Sequence, residues 1–349
     1  TGRCSKGKIE QMERSNLKDI ATTIHNRNHM KAIEYDRKHK PGRLRLKEVE
    51  KPVPNDNEVL LRVIAASLNA ADYRSMKMGA IPKKKIFGSA VAGIIESVGR
   101  NIQFLKPGDE VVGDLTDCGF GGLAEFVVAP ENAFVHKPAN TSFEDAVTLP
   151  VAATTALKAL RDKGDIRKGS DVLIVGSTGG VGIYALQLAK YFGAKVTAVC
   201  SPKNMEQTTS LGADKVIDYT RNDFTKGRIC CDIIVAINGN YSLLGYKRIL
   251  NSNGVYVMVG GTLTQIFKSI FFGWLLSFGG KKMKTLSAKS DPKDLEYVAK
   301  LLDEGHIRTI INKRYSLDTG AEAMDYLSKG HSPGKVVINI QPSAVSNYS

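Results

Sequence analysis

The chain has one tryptophan and five cysteines among 349 residues, and its cysteines follow no pairing pattern. Cys4, Cys118, Cys200, Cys230 and Cys231 are odd in number and irregular in spacing, which argues against a disulfide framework and for a reducing, cytoplasmic setting. Neither a secretory signal pattern nor a run of about 20 apolar residues is read, so a bilayer-spanning helix is not expected. Acid is also in deficit. Lysine and arginine number 49 against 35 aspartates and glutamates, for a formal net charge of +14. Such a balance can signal nucleic acid or membrane surface. Here the bases are spread along the chain without an aromatic-interleaved stripe, so no nucleic-acid partner is expected and a basic protein binding an anionic cofactor is favoured.

What is present is a strand–turn–helix–strand pattern at 171–203. The apolar run 172–175 predicts a buried parallel strand. Gly176, Gly179, Gly180 and Gly182 follow at once, then a helical pattern reaching Phe192 and stopping at Gly193. A second apolar run, 196–200, closes the unit. In that context a glycine-rich turn predicts dinucleotide binding: Gly179 lets the backbone approach a pyrophosphate, Gly182 lets helix and strand pack closely, and the helix N-terminus offers N–H groups to phosphate.

The acid that grips a ribose 2′-hydroxyl stands about 20 residues beyond the first glycine in NAD sites. Here that stretch reads Val199-Cys200-Ser201-Pro202-Lys203, with no carboxylate. A hydroxyl and an ammonium would bind a 2′-phosphate that a carboxylate would repel, so Ser201 and Lys203 point to NADPH.

Around this unit the chain divides. Residues 1–29 are polar and aperiodic, and read either as an upstream leader outside the fold or as a surface extension with a short helix near 9–20; Met30 reads as a natural start. Residues 30–150 alternate short β runs with turn signals, including Pro41-Gly42 and Lys106-Pro107-Gly108-Asp109, which predicts a compact, barrel-like β domain. Thr141 or Ser142 should cap a helix at 143–146, and an apolar helix follows at 152–161. From 171 to about 290 the rhythm is βαβ, which implies a parallel sheet covered on both faces. Helices are expected at 294–303 and 318–327, with a last strand at 334–340.

Residues 262–280 carry a helical apolar stripe of Leu263, Ile266, Phe267, Ile270, Phe271, Trp274, Leu275 and Phe278, with Gln265 and Lys268 off it. Three readings stay open: a homodimer contact or active-site cover, a peripheral membrane contact over 262–284 aided by Lys281, Lys282 and Lys284, or ordinary core.

The order of parts and its motifs carry a resemblance. Ser67-Leu68-Asn69-Ala70-Ala71-Asp72-Tyr73, Lys106 to Val111, Leu149-Pro150-Val151-Ala152, Gly176 to Lys190, Leu211-Gly212-Ala213-Asp214 and Gly334-Lys335-Val336-Val337 resemble the medium-chain dehydrogenase/reductase superfamily. Within it the chain is similar to the zinc-independent quinone oxidoreductase branch. The resemblance implies an α/β architecture: a GroES-like substrate domain at 30–150 and 310–345, and a doubly wound Rossmann NADP-binding domain at 151–309.

It also implies roles. Ser177, Thr178, Gly179, Gly180, Val181 and Gly182 would hold the pyrophosphate, and Thr155 and Gly260 would lie near the nicotinamide. Asn238 would occupy a related loop, and Ser201, Lys203 and Tyr219 the 2′-phosphate side. One departure is that Ala236 stands where the family often has Asp. The zinc alcohol dehydrogenases of the superfamily carry a Cys in the loop matching 67–72 and a Gly-His-Glu in the segment matching 88–93. Here neither segment holds a thiol or imidazole, so no metal is expected.

Without a metal, hydride transfer to a quinone or an α,β-unsaturated carbonyl suits the chain better than alcohol oxidation. Asn69 is the candidate hydrogen-bond donor to the developing oxyanion, Tyr73 a candidate donor or relay, and Asp72 the residue that orients their loop. Competing readings are a nucleotide-binding protein with little turnover, serving structural, regulatory or RNA-binding ends, and a zinc-free alcohol or carbonyl dehydrogenase.

Overall fold

The structure is a computed structural model; it describes residues 28–38, 43–221, 223–238, 241–261, 265, 267, 269, 271, 273, 275–277, 279–287, 289–330 and 332–340. The expectations for residues 1–27, the Pro41-Gly42 turn, Leu263, Ile266, Lys268, Ile270, Trp274, Phe278 and the tail after 340 lie outside the described residues.

The apolar runs of the second half build one parallel sheet of six strands. Asp171–Val175 lies at its centre, flanked on one side by Lys195–Cys200 and then Lys215–Asp218, and on the other by Cys231–Ala236, Leu250–Met258 and Lys282–Thr285. The first strand in sequence thus neighbours the second and the fourth. The strand order reverses there, so the connections leave to opposite sides, and the crevice above the C-terminal ends of Asp171–Val175 and Cys231–Ala236 is where such sheets hold ligands. Residues 172–175 are buried on both faces, as a continuous apolar run requires.

The first half forms a seven-stranded sheet, largely antiparallel, around Glu58–Leu68, which pairs with Ala90–Val98, Phe126–Pro130 and Lys335–Asn339. Lys335–Asn339 and its parallel neighbour Ile311–Ser316 come from the far end of the chain. A separate hairpin pairs His29–Tyr35 with Leu44–Glu50. The returning strand matters for function. Gly334 forms a bridge with Gly179 of the glycine-rich turn, so the two sheets meet where the cofactor turn begins.

Several elements differ from the pattern reading. The helix Ala70–Met78 was not expected, because its sequence lacks a clear apolar stripe. It is set instead by its ends: Asn69 and Asp72 form a reciprocal capping box, and Gly79 closes it at φ +78°. Ser142 caps Phe143–Ala146 as expected. Lys282–Thr285 is an edge strand whose lysines mask its β pattern. In the stretch after Gly261 the described residues of the stripe face outward, which goes against the reading of ordinary core. Gln265 and Ser269 are buried, while Phe267, Phe271 and Leu275 are exposed. Among the described residues, no helix is long and apolar enough to cross a membrane.

Candidate active site

The glycine-rich turn follows Asp171–Val175 directly and leads into the helix Gly180–Tyr191. Each glycine has a distinct reason. Gly176 turns at φ +88°, a conformation an L side chain resists. At Gly182 an added Cβ would sit 2.1 Å from the Gly176 carbonyl oxygen, so helix and turn could not pack. At Gly179 the nearest atom to such a Cβ would be 3.8 Å away, which leaves open space over the backbone. The first main-chain bond of the helix runs from Ile183 N–H to the Gly179 carbonyl at 3.0 Å, so the amides of Gly180 and Val181, which line the cleft, precede the ladder and are available as anion donors, while Gly182 is buried against the turn. This cradle fits a pyrophosphate.

A groove of about 380 Å³ opens beside the turn, lined by Gly176, Thr178, Gly179, Ser201, Lys203, Asn204, Tyr219 and Asn238 among others, and, among the described residues, by no Asp or Glu. Asn204, which the sequence reading passed over, donates to Thr178 Oγ1 at 3.3 Å and to Ser201 Oγ at 3.2 Å, tying the turn to the end of the second strand. Tyr219 is 46 % exposed at the groove's rim. Ser177 points away: its hydroxyl is buried and donates to the Val199 carbonyl at 3.4 Å. Thr155 sits half-buried on the helix Ala152–Lys158 and lines neither cavity of the cleft.

A second cavity of about 460 Å³ continues from the first between the two sheets, lined by Leu68, Asn69, Tyr73, Arg74, Lys77, Gly180, Val181, Gly261 and Lys335 among others. Gly261 lines it, whereas Gly260 packs against the Ile237 carbonyl and the Arg74 guanidinium. Tyr73 is on its wall, with Arg74 over its ring at 5.8 Å. Arg74, another residue the sequence reading missed, donates to the Gly261 carbonyl at 3.0 Å.

The candidate donor Asn69 is not free as expected. Its carboxamide gives one hydrogen to the Ser67 carbonyl at 3.0 Å and the other to Ser89 Oγ at 3.1 Å. Its Oδ1 accepts from Lys335 Nζ at 2.6 Å. The Asn69 amide is therefore fixed from three sides and points no hydrogen at the cavity. Asp72 lies behind it, fully buried, accepting from the Asn69 main-chain N–H at 2.7 Å, the Ser89 hydroxyl at 3.0 Å and the Gly88 N–H at 3.2 Å. Asp72 thus orients the loop from outside the cavity.

Burial pushes the Asp72 carboxyl up to about 6, against the opposing pull of those hydrogen bonds and of Lys335. Burial pulls the Lys335 ammonium down to about 8, opposed by Asp72 and Asp114. Lys335, 2 % exposed, is a buried charged group in the lining of the second cavity that sequence reading left without a role. Among the described residues, no three His, Cys, Asp or Glu side chains form a group able to hold a metal ion.

Comparison with known proteins agrees with this geometry. A family model described as an alcohol dehydrogenase GroES-like domain matches residues 55–139, and one described as a zinc-binding dehydrogenase matches residues 211–338. The chain is 32 % identical over 331 residues to the chloroplast envelope quinone oxidoreductase homolog of Arabidopsis thaliana, covering 88 % of this chain and 98 % of that one. It is 32 % identical over 341 residues to 2-methylene-furan-3-one reductase of Solanum lycopersicum, covering 93 % and 82 %. Among solved structures, the quinone oxidoreductase from Coxiella burnetii superposes with a TM-score of 0.80 at 27 % identity, over 90 % of this chain and 100 % of that one. A GroES-like substrate domain, a dinucleotide-binding parallel sheet and a shared cleft with a phosphate cradle are the parts of one known machine: the chain belongs to the medium-chain dehydrogenase/reductase superfamily of nicotinamide-dependent oxidoreductases.

Proposed function

We propose that this protein reduces quinones or α,β-unsaturated carbonyl compounds with NADPH, without a metal ion. The observation that carries the reading is the pair Asn69–Lys335. In the cleft where a metal-dependent relative needs ligands for a cation, a carboxamide here accepts from an ammonium at 2.6 Å, and a fixed positive charge opposes a second cation. Bound NADPH would supply a hydride. Gly179, Gly180 and Val181 would hold its pyrophosphate, and Ser201, Lys203 and Tyr219 its 2′-phosphate, in a groove whose lining lacks a carboxylate to repel it. The acceptor would lie in the second cavity against Asn69, Tyr73, Arg74 and Lys335. The names of the tomato enone reductase and of the quinone oxidoreductases support an electron-poor, conjugated acceptor.

The same reading extends to setting and assembly. The four described cysteines are free thiols and two of them, Cys118 and Cys230, are exposed, which supports a reducing, cytoplasmic location. The exposed row Phe267, Phe271 and Leu275 supports a homodimer contact, with peripheral membrane contact as the competing use of that face.

The test is NADPH oxidation, followed by absorbance, against a panel of quinones and enones with NADH as control. Turnover of at least one acceptor with NADPH preferred is expected. Tight NADPH binding with no acceptor reduced would replace this reading with a nucleotide-binding protein of little turnover.

A further inference from the structure

Hydride addition to a conjugated acceptor leaves an electron pair on the carbonyl oxygen, and a donor aimed at that oxygen is worth orders of magnitude in rate. Asn69 cannot be that donor in this arrangement, because both of its amide hydrogens are bonded inside the protein. Lys335 can. Its Nζ carries three hydrogens, and its acceptors among the described residues are Asn69 Oδ1 at 2.6 Å and, weakly, the Leu68 carbonyl at 3.4 Å. Its stem lies along Gly180, where an added Cβ would come within 3.0 Å of Lys335 Cδ. Its backbone follows Gly334, which bridges to Gly179. The ammonium therefore sits in the wall of the second cavity, where the cofactor turn meets the candidate acceptor site.

We propose that Lys335 is the proton donor to the carbonyl oxygen of the acceptor, and that Asn69 is the positioning residue that holds it there. The assignment rests on the quinone or enone reading above. The step balances as follows. A hydride adds to the β-carbon of the enone, and the carbon–carbon π pair shifts so that the carbonyl π pair moves onto oxygen. The Lys335 N–H bond breaks, its proton bonds to that oxygen to give the enol, and the N–H pair stays on nitrogen. The neutral amine then takes a proton from water. For a quinone the same transfer gives the hydroquinone.

The setting suits an acid. Asp72 stands behind Asn69 and Asp114 lies at longer range, and both favour the charged ammonium, while burial opposes it. Tyr73, Arg74 and Lys77 face the same cavity from the helix Ala70–Met78. The resulting balance leaves an ammonium that gives up its proton more readily than an exposed lysine and is still charged at neutral pH.

The test compares wild type with Lys335→Gln and Lys335→Met, each checked for folding by thermal unfolding and circular dichroism. Two readouts are used. The first is binding of 4-nitrophenol to the NADP⁺-saturated protein, titrated by absorbance, since its phenolate mimics the developing oxyanion. Wild type should bind phenolate about tenfold tighter than phenol, a preference lost in Lys335→Gln. The second is steady-state kinetics against pH. In Lys335→Gln, kcat should fall about 100-fold with the NADPH dissociation constant changed less than about threefold, and the alkaline fall of wild-type kcat/KM should vanish. Equal binding of phenol and phenolate by wild type, or an alkaline limb retained in Lys335→Gln, would overturn the assignment. So would weakened NADPH binding at unchanged kcat, which would make Lys335 a pyrophosphate anchor. Should neither variant fold, Lys335→Arg, which keeps the cation but not a titratable proton donor, takes their place: it should keep the phenolate preference and lose the alkaline limb, and a retained limb would overturn the assignment. A wild type that reduces no quinone or enone defeats the functional reading, while the phenolate titration still reports on the donor.

Discussion

The Arg74 guanidinium donates to the Gly261 carbonyl at 3.0 Å, joining the helix Ala70–Met78 of the first domain to the loop beyond Leu250–Met258 of the second. The bond crosses the second cavity's wall and is charge-assisted, which makes it worth about 1.5–3 kcal/mol where it is shielded from water. Arg74 also packs at 3.4 Å from where a Gly260 Cβ would stand. Arg74→Met keeps the stem and removes the donor. It should leave the melting temperature of each folded half close to wild type but loosen the cleft, raising KM for the acceptor about tenfold with a smaller effect on kcat. Unchanged KM for every acceptor would show that the bond is incidental.

Lys335 and Arg74 show where sequence reading stops. The cofactor turn was legible because its chemistry is local: strand, glycines and helix follow one another within a dozen residues. Lys335 reaches Asn69 across 266 positions, and Arg74 reaches Gly261 across 187, so nothing in either neighbourhood announces the partner. The Gly334-Lys335-Val336-Val337 motif was visible, but its lysine read as the start of a strand. Asn69 was singled out as a donor; it lines the cavity, but its hydrogen-bond commitments could not be counted before the fold brings Ser67, Ser89 and Lys335 around it. The helix Ala70–Met78, by contrast, could have been read. Asn69 as cap, Asp72 three residues on and Gly79 past the end form a start-and-stop signal that the weak apolar pattern between them obscured.

Gly179 and Gly182 should separate cofactor binding from folding. An alanine at 182 would press its Cβ to 2.1 Å from the Gly176 carbonyl oxygen, with backbone on the other side that cannot yield cheaply. Gly182→Ala should therefore lower the melting temperature by several degrees, as a backbone clash of about 2 kcal/mol would. At 179 the same methyl meets nothing nearer than 3.8 Å, but it occupies the space a pyrophosphate needs. Gly179→Ala should melt like wild type and bind NADPH at least tenfold more weakly by fluorescence titration. Equal losses of stability in both variants would mean the turn is a packing device rather than a phosphate cradle.

Cofactor choice should follow charge at the groove's far end. Lys203 makes no ion pair with a carboxylate among the described residues, and the groove lining has no acid. Lys203→Ala removes a cation from the 2′-phosphate side and should cut kcat/KM for NADPH about tenfold while leaving NADH within about twofold. Ser201→Asp, which places a carboxylate there, should reverse the preference outright. A chain that prefers NADH from the start, or a Lys203→Ala variant that weakens both cofactors alike, would contradict the argument from the missing acid.

The exposed face after the sheet gives the last prediction. Phe267 and Phe271 stack with ring centroids 6.5 Å apart, and with Leu275 they form an outward row spaced four residues apart, while Gln265 and Ser269 turn inward. Among the described residues of this stretch, two polar side chains are buried and two aromatic ones exposed, an arrangement suited to contact beyond the chain itself. Gln265 is held inward by donating to the Tyr241 carbonyl at 2.8 Å. Phe267→Ser combined with Phe271→Ser should then shift the protein from dimer toward monomer in sedimentation velocity, with NADPH binding unchanged because neither residue lines the cleft. If wild type is already monomeric and floats with anionic liposomes while the double variant does not, the face serves a membrane surface and the dimer proposal fails. If both proteins are monomeric and neither floats, both uses of the face fail together, and the two aromatic rings pay no more than the small cost of exposure that a single surface phenylalanine carries.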